Sequence, residues 1–190
     1  MRTKRDLRNI ILDKRNNMIS DQVLEKSSKI IDKLTSSEEY KTSKTVFIYM
    51  DFKNEVKTLG LINKMLGENK HVVIPYTDVA NTIIIPVEIK DVERDLKISQ
   101  FGYLEPKTEN VIQVQPEKFD LIIVPGVVFD YNLNRIGFGK GYYDRILKLK
   151  RQNTKAIAIA YEFQVLDEIP FEDHDIKMDM IITEENIYKK

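Results

Sequence analysis

The chain has 190 residues, with 30 Lys+Arg balanced by 30 Asp+Glu, two His and no Cys or Trp. That length suits one domain of ordinary size, and a 42% apolar share can fill a core on that scale, which argues against a disordered chain. Zero net charge removes a global basic field as an argument for nucleic acid or an anionic membrane, and the absence of cysteine excludes disulfides, thiolate zinc sites and a Cys nucleophile.

Residues 1–18 are basic but carry Asp6 and Asp13 and lack the apolar segment of a signal peptide, so no targeting segment is expected. Leu7, Ile10, Ile11 and Met18 fit one helical face. Val23, Leu24, Ser27, Ile30, Ile31 and Leu34 repeat that period after Ser20, a residue type favoured at helix N-caps. Residues 45–50 (TVFIYM) are β-branched and aromatic, and predict a strand. Val56, Leu59, Ile62, Met65 and Leu66 form a helical stripe that closes near Gly67. Residues 71–75 and 81–89 read as strands. Residues 91–117 are polar and irregular, either a long excursion or a β segment with weak patterning. Residues 121–124 (LIIV) are continuously apolar, as in a strand buried on both faces. A helix is expected from near Gly141 to Arg151, strands at 156–160 and 180–183, and a short helical turn at 165–168. No apolar run approaches the ~20 residues of a membrane span. Strands separated by helical patterns argue for βαβ units in a single α/β domain with a mostly parallel sheet.

Glycine is unevenly spread. Four of the seven (Gly126, Gly137, Gly139, Gly141) fall within residues 125–145, PGVVFDYNLNRIGFGKGYYDR. This stretch follows a buried-strand candidate and precedes a helix candidate, where α/β sheets place their ligands. Alternating glycines let backbone N–H groups approach one anion closely, and the following helix offers its positive end to it. Lys140 adds a mobile charge, Arg135 and Arg145 flank it, and Asp144, one turn into the helix, is a candidate holder of Mg²⁺ on a polyphosphate. The spacing matches neither the P-loop nor the dinucleotide fingerprint, and glycine clusters also serve tight turns. Tyr142 and Tyr143 could stack on a planar ligand, although Tyr143 reads more simply as packing the helix start.

Asp130, then Asn134-Arg135-Ile136-Gly137, then Gly139-Lys140-Gly141-Tyr142-Tyr143-Asp144-Arg145, closely resembles the signature of the 5-formyltetrahydrofolate cyclo-ligase family. Lys4-Arg5-x-Leu7-Arg8, the segment 50–55, Gly102-Tyr103-Leu104-Glu105-Pro106, and Asp179 with the apolar run before Thr183 are similar to further family elements, in the same order. The resemblance implies a three-layer α/β/α sandwich. It also implies ATP- and Mg²⁺-dependent conversion of 5-formyltetrahydrofolate to 5,10-methenyltetrahydrofolate through a phosphorylated formyl oxygen, an imidate phosphate. Such a mechanism needs no Cys, Ser or His nucleophile, because oxygen and nitrogen of the substrate do the attacking.

Residue roles follow from the same resemblance. Lys4, Arg8, Arg135, Ile136, Gly137, Gly139, Lys140, Gly141, Tyr142 and Tyr143 would hold ATP. Met50 and Glu55, with Gly139, Lys140, Gly141 and Tyr142, would hold the folate. Lys140, Tyr142 and Arg135 would act in catalysis, and Asp144 with Asp179 would hold Mg²⁺. Read without the resemblance, Lys4 and Arg8 are a solvated basic pair and Glu55 stabilises a helix start. Many family members carry Arg where this chain has Phe138, so no phosphate role is assigned there. His71 and His174 are not catalytic candidates. The expected partners are small molecules, without nucleic acid or membrane, and the expected protein is a cytoplasmic monomer. Another ATP-dependent phosphotransferase, or a relative that binds folate without turnover, remains open at this level. An RNA-binding module fits poorly, because Tyr143-Asp144 breaks the pattern such a motif requires.

Overall fold

A computed structural model describes residues 2–99, 102–107, 112–172 and 175–190. Helix α1 (Lys4–Asn16) opens on a reciprocal cap: Thr3 Oγ1 accepts the Asp6 N–H and the Asp6 carboxylate accepts the Thr3 N–H. Helices α2 (Ser20–Ser36) and α3 (Glu38–Thr42) lead to β1 (Thr45–Ile48), α4 (Leu59–Gly67) and the hairpin of β2 (His71–Asp78) and β3 (Ile83–Ile89). Then come α5 (Val92–Asp95), β4 (Leu96–Ile98), β5 (Leu104–Pro106), β6 (Ile112–Gln113), β7 (Leu121–Val124), β8 (Val128–Asp130) and β9 (Arg135–Ile136). The last elements are α6 (Tyr142–Lys148), β10 (Lys155–Ile159), β11 (Val165–Leu166), β12 (Met180–Ile182) and β13 (Ile187–Lys189).

Eight strands form the main sheet in the order β13-β12-β10-β7-β1-β2-β3-β6. From β12 to β2 the neighbours are parallel, joined by crossovers that carry helices. The edges are antiparallel: β13 pairs with β12, β3 with β2, and β6 with β3. A short loop of residues 79–82 joins β2 to β3, and so short a connection can link only antiparallel strands. The two faces of the parallel strands bury alternate residues. Val46, Ile48, Leu121, Ile123, Ile157 and Ile159 pack against Ile30 and Leu34 of α2 and Ile62 and Met65 of α4. Phe47, Ile122, Val124, Ala156 and Ala158 face the other way, toward Phe119 and Ile146 and Leu147 of α6. This arrangement is the expected α/β/α sandwich with a mostly parallel sheet. Each fully buried Ile or Leu contributes about 1.5–3 kcal/mol by leaving water. Among the described residues no helix is long and apolar enough to cross a membrane.

A second sheet, β11-β8-β9, positions the site. Leu7 and Ile11 of α1 pack on Val127, Val128 and Ile136, which sets the first helix beside the glycine loop.

The structure corrects several local readings. Ile10 is exposed, and the inward face of α1 is Leu7, Ile11 and Arg15. Ser20 is the first helical residue of α2; Ile19 is the cap, and its N–H is accepted by the Gln22 side chain at 3.4 Å. Val56 lies before α4, and α6 ends at Lys148 rather than Arg151. The helical turn expected at 165–168 lies at Glu162–Gln164, and Val165–Leu166 is strand β11. The described residues of 91–117 form α5, the antiparallel β4–β5 pair, β6 and the start of a 3₁₀ turn at Pro116–Lys118, none long enough to show a period. His174 lies outside the described residues.

Candidate active site

The carboxyl ends of β1 and β7 open into a cavity of about 540 Å³. Its walls come mainly from the start of α1, the loop after β1, the β5 region and the glycine loop before α6, with Pro75 and Thr77 of β2, Ile84 of β3, Pro125 and Asp175 completing them. Lys4, Arg8, Met50, Glu55, Arg135, Ile136, Gly137, Gly139, Lys140, Gly141, Tyr142, Tyr143 and Asp144 all line it. The tertiary fold thus gathers residues from Lys4 to Asp175 around one volume of ligand size.

The turn ahead of the loop is rigid for a local reason. Buried Asp130 accepts the Asn134 N–H (2.9 Å), the Asn134 Nδ2 (2.8 Å) and the Ile169 N–H (3.2 Å). With its three donors in place, this carboxylate closes the β8–β9 hairpin and aims the next residue, Arg135, at the cavity. Arg135 Nη2 lies 2.5 Å from Asp144 Oδ1, with the Arg135 side chain only 5% exposed. Gly139 and Gly141 have φ of +93° and +68°, left-handed values that a side chain would strain. Gly137 is needed for space instead, since a Cβ there would stand 2.7 Å from Arg135 Nη1.

Helix α1 supplies two more cations. Arg8 Nε donates to the Gly137 carbonyl at 2.8 Å, tying the helix to the loop. Lys4 Nζ is 2.7 Å from Asp175 and 2.9 Å from Glu172. Burial alone would lower the Lys4 pKa, but the hydrogen bonds to these two carboxylates hold it above its ordinary value. Lys140 differs from its neighbours: it is exposed, lines the cavity and makes no ion pair with any described residue. Arg145, which flanks the loop, donates to the Thr82 and Lys140 carbonyls, both at 3.1 Å, and does not line the cavity.

The loop after β1 carries the carboxylate. Glu55 is 7% exposed; its Oε2 accepts the Phe52 N–H at 3.0 Å, and Arg15 Nη1 stands 3.7 Å from Oε1. Burial pushes the Glu55 carboxyl above its usual range, and Arg15 and the Phe52 N–H oppose that rise. Tyr143 lies at α6 with its ring 6.0 Å from that of Phe47, and burial drives its hydroxyl pKa up. It serves the core as well as the cavity wall.

Asp179 is the one expected site residue that the fold does not bring to the cavity. It stands before β12, where Oδ2 accepts the Ala156 N–H at 2.8 Å, and Lys150 is 3.7 Å away. Ala156 pairs with Ile122, three residues before the cavity wall at Pro125, on the order of 10 Å along the strands. Two ligands of one Mg²⁺, each about 2.1 Å from it, cannot be that far apart. Asp179 and Asp144 therefore do not share an ion. The carboxylate that does reach the cavity from this segment is Asp175, four residues earlier. Sequence reasoning also passed over Phe52 and Tyr103, whose rings meet edge to face at 5.7 Å in the cavity wall. Both lie inside segments singled out for other residues.

Fold and cavity together define an α/β protein that can receive a small anionic ligand at the carboxyl ends of its parallel strands. A sequence model of the 5-formyltetrahydrofolate cyclo-ligase family matches residues 1–184, and the chain belongs to that family. It is 31% identical over 203 residues to a probable 5-formyltetrahydrofolate cyclo-ligase of Schizosaccharomyces pombe, covering 100% of this chain and 99% of that one. It is 28% identical to the 5-formyltetrahydrofolate cyclo-ligase of Mus musculus, over 96% of this chain and 94% of the mouse protein. Among solved structures, the NMR structure of 5,10-methenyltetrahydrofolate synthetase from Aquifex aeolicus superposes with a TM-score of 0.85 at 36% identity, covering 98% of this chain and 92% of that one. The corresponding synthetase of Mycoplasma pneumoniae gives 0.77 at 28% identity, covering 95% and 98%.

Proposed function

We propose that this chain is an ATP- and Mg²⁺-dependent 5-formyltetrahydrofolate cyclo-ligase. The observation that carries the reading is one cavity lined both by four cations (Lys4, Arg8, Arg135, Lys140) and by the buried carboxylate of Glu55. Such a lining suits a polyphosphate beside the cations and an amino-pyrimidinone, which offers two N–H donors, beside the carboxylate.

The reaction needs positioning more than covalent chemistry from the protein. The formyl oxygen attacks the γ-phosphorus and ADP leaves, forming an imidate phosphate. N10 then attacks the activated carbon, the C–O bond breaks to release phosphate, and N10 gives up its proton as the ring closes. Lys140, unpaired and exposed, is the cation able to follow the transferring phosphoryl group. Arg135, buried and 2.5 Å from Asp144, would meet the charge that accumulates there. Arg8 and Lys4 take the more distant phosphates, Gly139 and Gly141 allow the backbone close approach, and Ile136 and Tyr142 complete the wall. Met50 with Phe52 and Tyr103 would sandwich the planar rings of the folate.

The donor set fits Mg²⁺, which favours one or two carboxylates completed by phosphate oxygens and water. Asp144 and Asp175 would hold it, and no cluster of three or more acidic, His or Cys ligands occurs among the described residues. Bound there, the ion would neutralise charge on the phosphates. The same reading makes the chain one catalytic domain that works as a cytoplasmic monomer on small molecules. The test is to incubate the protein with MgATP and 5-formyltetrahydrofolate and follow the near-ultraviolet absorbance of the methenyl product. No product, or equal product without ATP, sinks the assignment.

A further inference from the structure

Arg15 is a buried cation outside the proposed catalytic set. It is 2% exposed, near the end of α1, and does not line the cavity. On a helix, positions 4, 8 and 15 share one face, so the helix that directs Lys4 and Arg8 into the cavity also directs Arg15 inward, about two turns beyond Arg8 and three beyond Lys4. There it reaches two parts of the site at once. Its Nη1 is 3.7 Å from Glu55 Oε1, and its guanidinium lies 5.6 Å from the centre of the Phe138 ring in the glycine loop. The Arg15 carbonyl also accepts the Asn54 side-chain amide at 3.0 Å, and the Met18 carbonyl accepts it at 2.9 Å, so the loop carrying Glu55 is pinned to the end of α1.

We propose that Arg15 is a positioning residue that keeps the Glu55 carboxylate aimed and charged for the paired N–H donors of a reduced pterin; this rests on the folate reading above. The geometry supports such a role in two ways. First, 3.7 Å is an electrostatic contact rather than a hydrogen bond, so Arg15 supplies charge without consuming the lone pairs a ligand needs. A bidentate fork would occupy both oxygens. Second, Arg15 is the net charge that Glu55 faces. Within its own loop Asp51 and Lys57 pair with each other at 2.8 Å. From β1 and α6 come Tyr49 and Tyr143, both neutral, with hydroxyl pKa values driven up by burial. A carboxylate this buried protonates if its cation is removed, and the acid form has lost one acceptor oxygen. The Phe138 contact carries the same guanidinium to the ATP loop, so one side chain braces both ends of the cavity.

The test compares the parent with Arg15→Met, Arg15→Lys, Glu55→Gln and the Arg15→Met/Glu55→Gln double variant. KM for 5-formyltetrahydrofolate and for ATP is measured across pH 5.5–8.5, beside thermal melts. Arg15→Met is expected to raise the folate KM about tenfold at neutral pH, leave the ATP KM within about threefold, and move the acid limb of the folate kcat/KM up by about one pH unit. Arg15→Lys, which keeps the charge and is the milder change should Arg15→Met not fold, must retain most of the parent acid limb. The double variant should be no worse than Glu55→Gln. Equal rises in both KM values, an unmoved acid limb in both Arg15 variants, or additive losses in the double variant would overturn the proposal. Absence of turnover in the parent protein would instead remove the cyclo-ligase reading itself.

Discussion

Gly137→Ala is a sharp probe of the cavity because it tests space alone. The backbone there is not in the left-handed region, so an added methyl brings no φ strain. The added Cβ would, however, lie 2.7 Å from Arg135 Nη1, about 0.8 Å inside the ~3.5 Å of an ordinary contact. An exposed arginine would swing away at little cost. This one is 5% exposed, sits 2.5 Å from Asp144 and has Nη1 near the Pro125 carbonyl at 3.4 Å, so it cannot move without loosening those contacts. Weakening a charge-assisted hydrogen bond costs about 1–2 kcal/mol, or roughly 2–8 °C in Tm for a chain of this size. The effect on chemistry is larger, since a displacement approaching 1 Å at a charge-stabilising group lowers the rate by about 10–100-fold. The assay is kcat for methenyl product with saturating MgATP, alongside a thermal melt. A kcat within twofold of the parent would show that Arg135 has no fixed place in the reaction and would refute the reasoning.

Lys140→Ala should lower turnover by about 10²–10³-fold while moving Tm by no more than about 2 °C, because the side chain is exposed and has no ion pair among the described residues; steady-state kinetics and a melt decide it. Asp175→Asn and Asp144→Asn should each raise the Mg²⁺ concentration needed for half-maximal rate, whereas Asp179→Ala should leave that titration unchanged. The latter should instead lower Tm by about 2–8 °C through loss of the acceptor for the Ala156 N–H. Hydrogen bonding from Arg94, helped by the Lys90 and Asp91 N–H groups, lowers the Asp95 carboxyl to about 2. The folded pKa lies below the ordinary 3.8, so this stabilisation is present above about pH 4 and is lost as pH falls through about 2. The Tm gap between the parent and Asp95→Asn should therefore narrow on acidification from pH 5 to 2, and a gap independent of pH would count against the assignment.

Much of the sheet was legible because its signals are local. Residues 121–124 read as a doubly buried strand from composition alone, and all four are buried in β7. The β8–β9 hairpin was not legible: its strands have three and two residues, and the Asp130 carboxylate that closes the turn with Asn134 takes its third donor from Ile169, 39 positions away. Likewise no local pattern distinguishes Val165–Leu166 as a strand, since its partner is β8.

For the site, the sequence by itself determined the chemistry on offer: a glycine-spaced loop with Lys140, the Lys4/Arg8 pair and a carboxylate ahead of α4. Only the tertiary structure decided which of these groups meet. Asp175 and Asp179 lie within one short acidic stretch, and only one reaches the cavity: Asp179, just before β12, is tied to the Ala156 N–H, whereas Asp175, four residues earlier, meets Lys4 of α1. Arg15 reads as one more basic residue at a helix end, yet it is buried behind Glu55, since α1 turns its Leu7–Ile11–Arg15 face onto the small sheet. Residue type sets what a side chain can do, but packing sets whether it is charged, paired and within reach. These depend on contacts across the chain that no local pattern encodes.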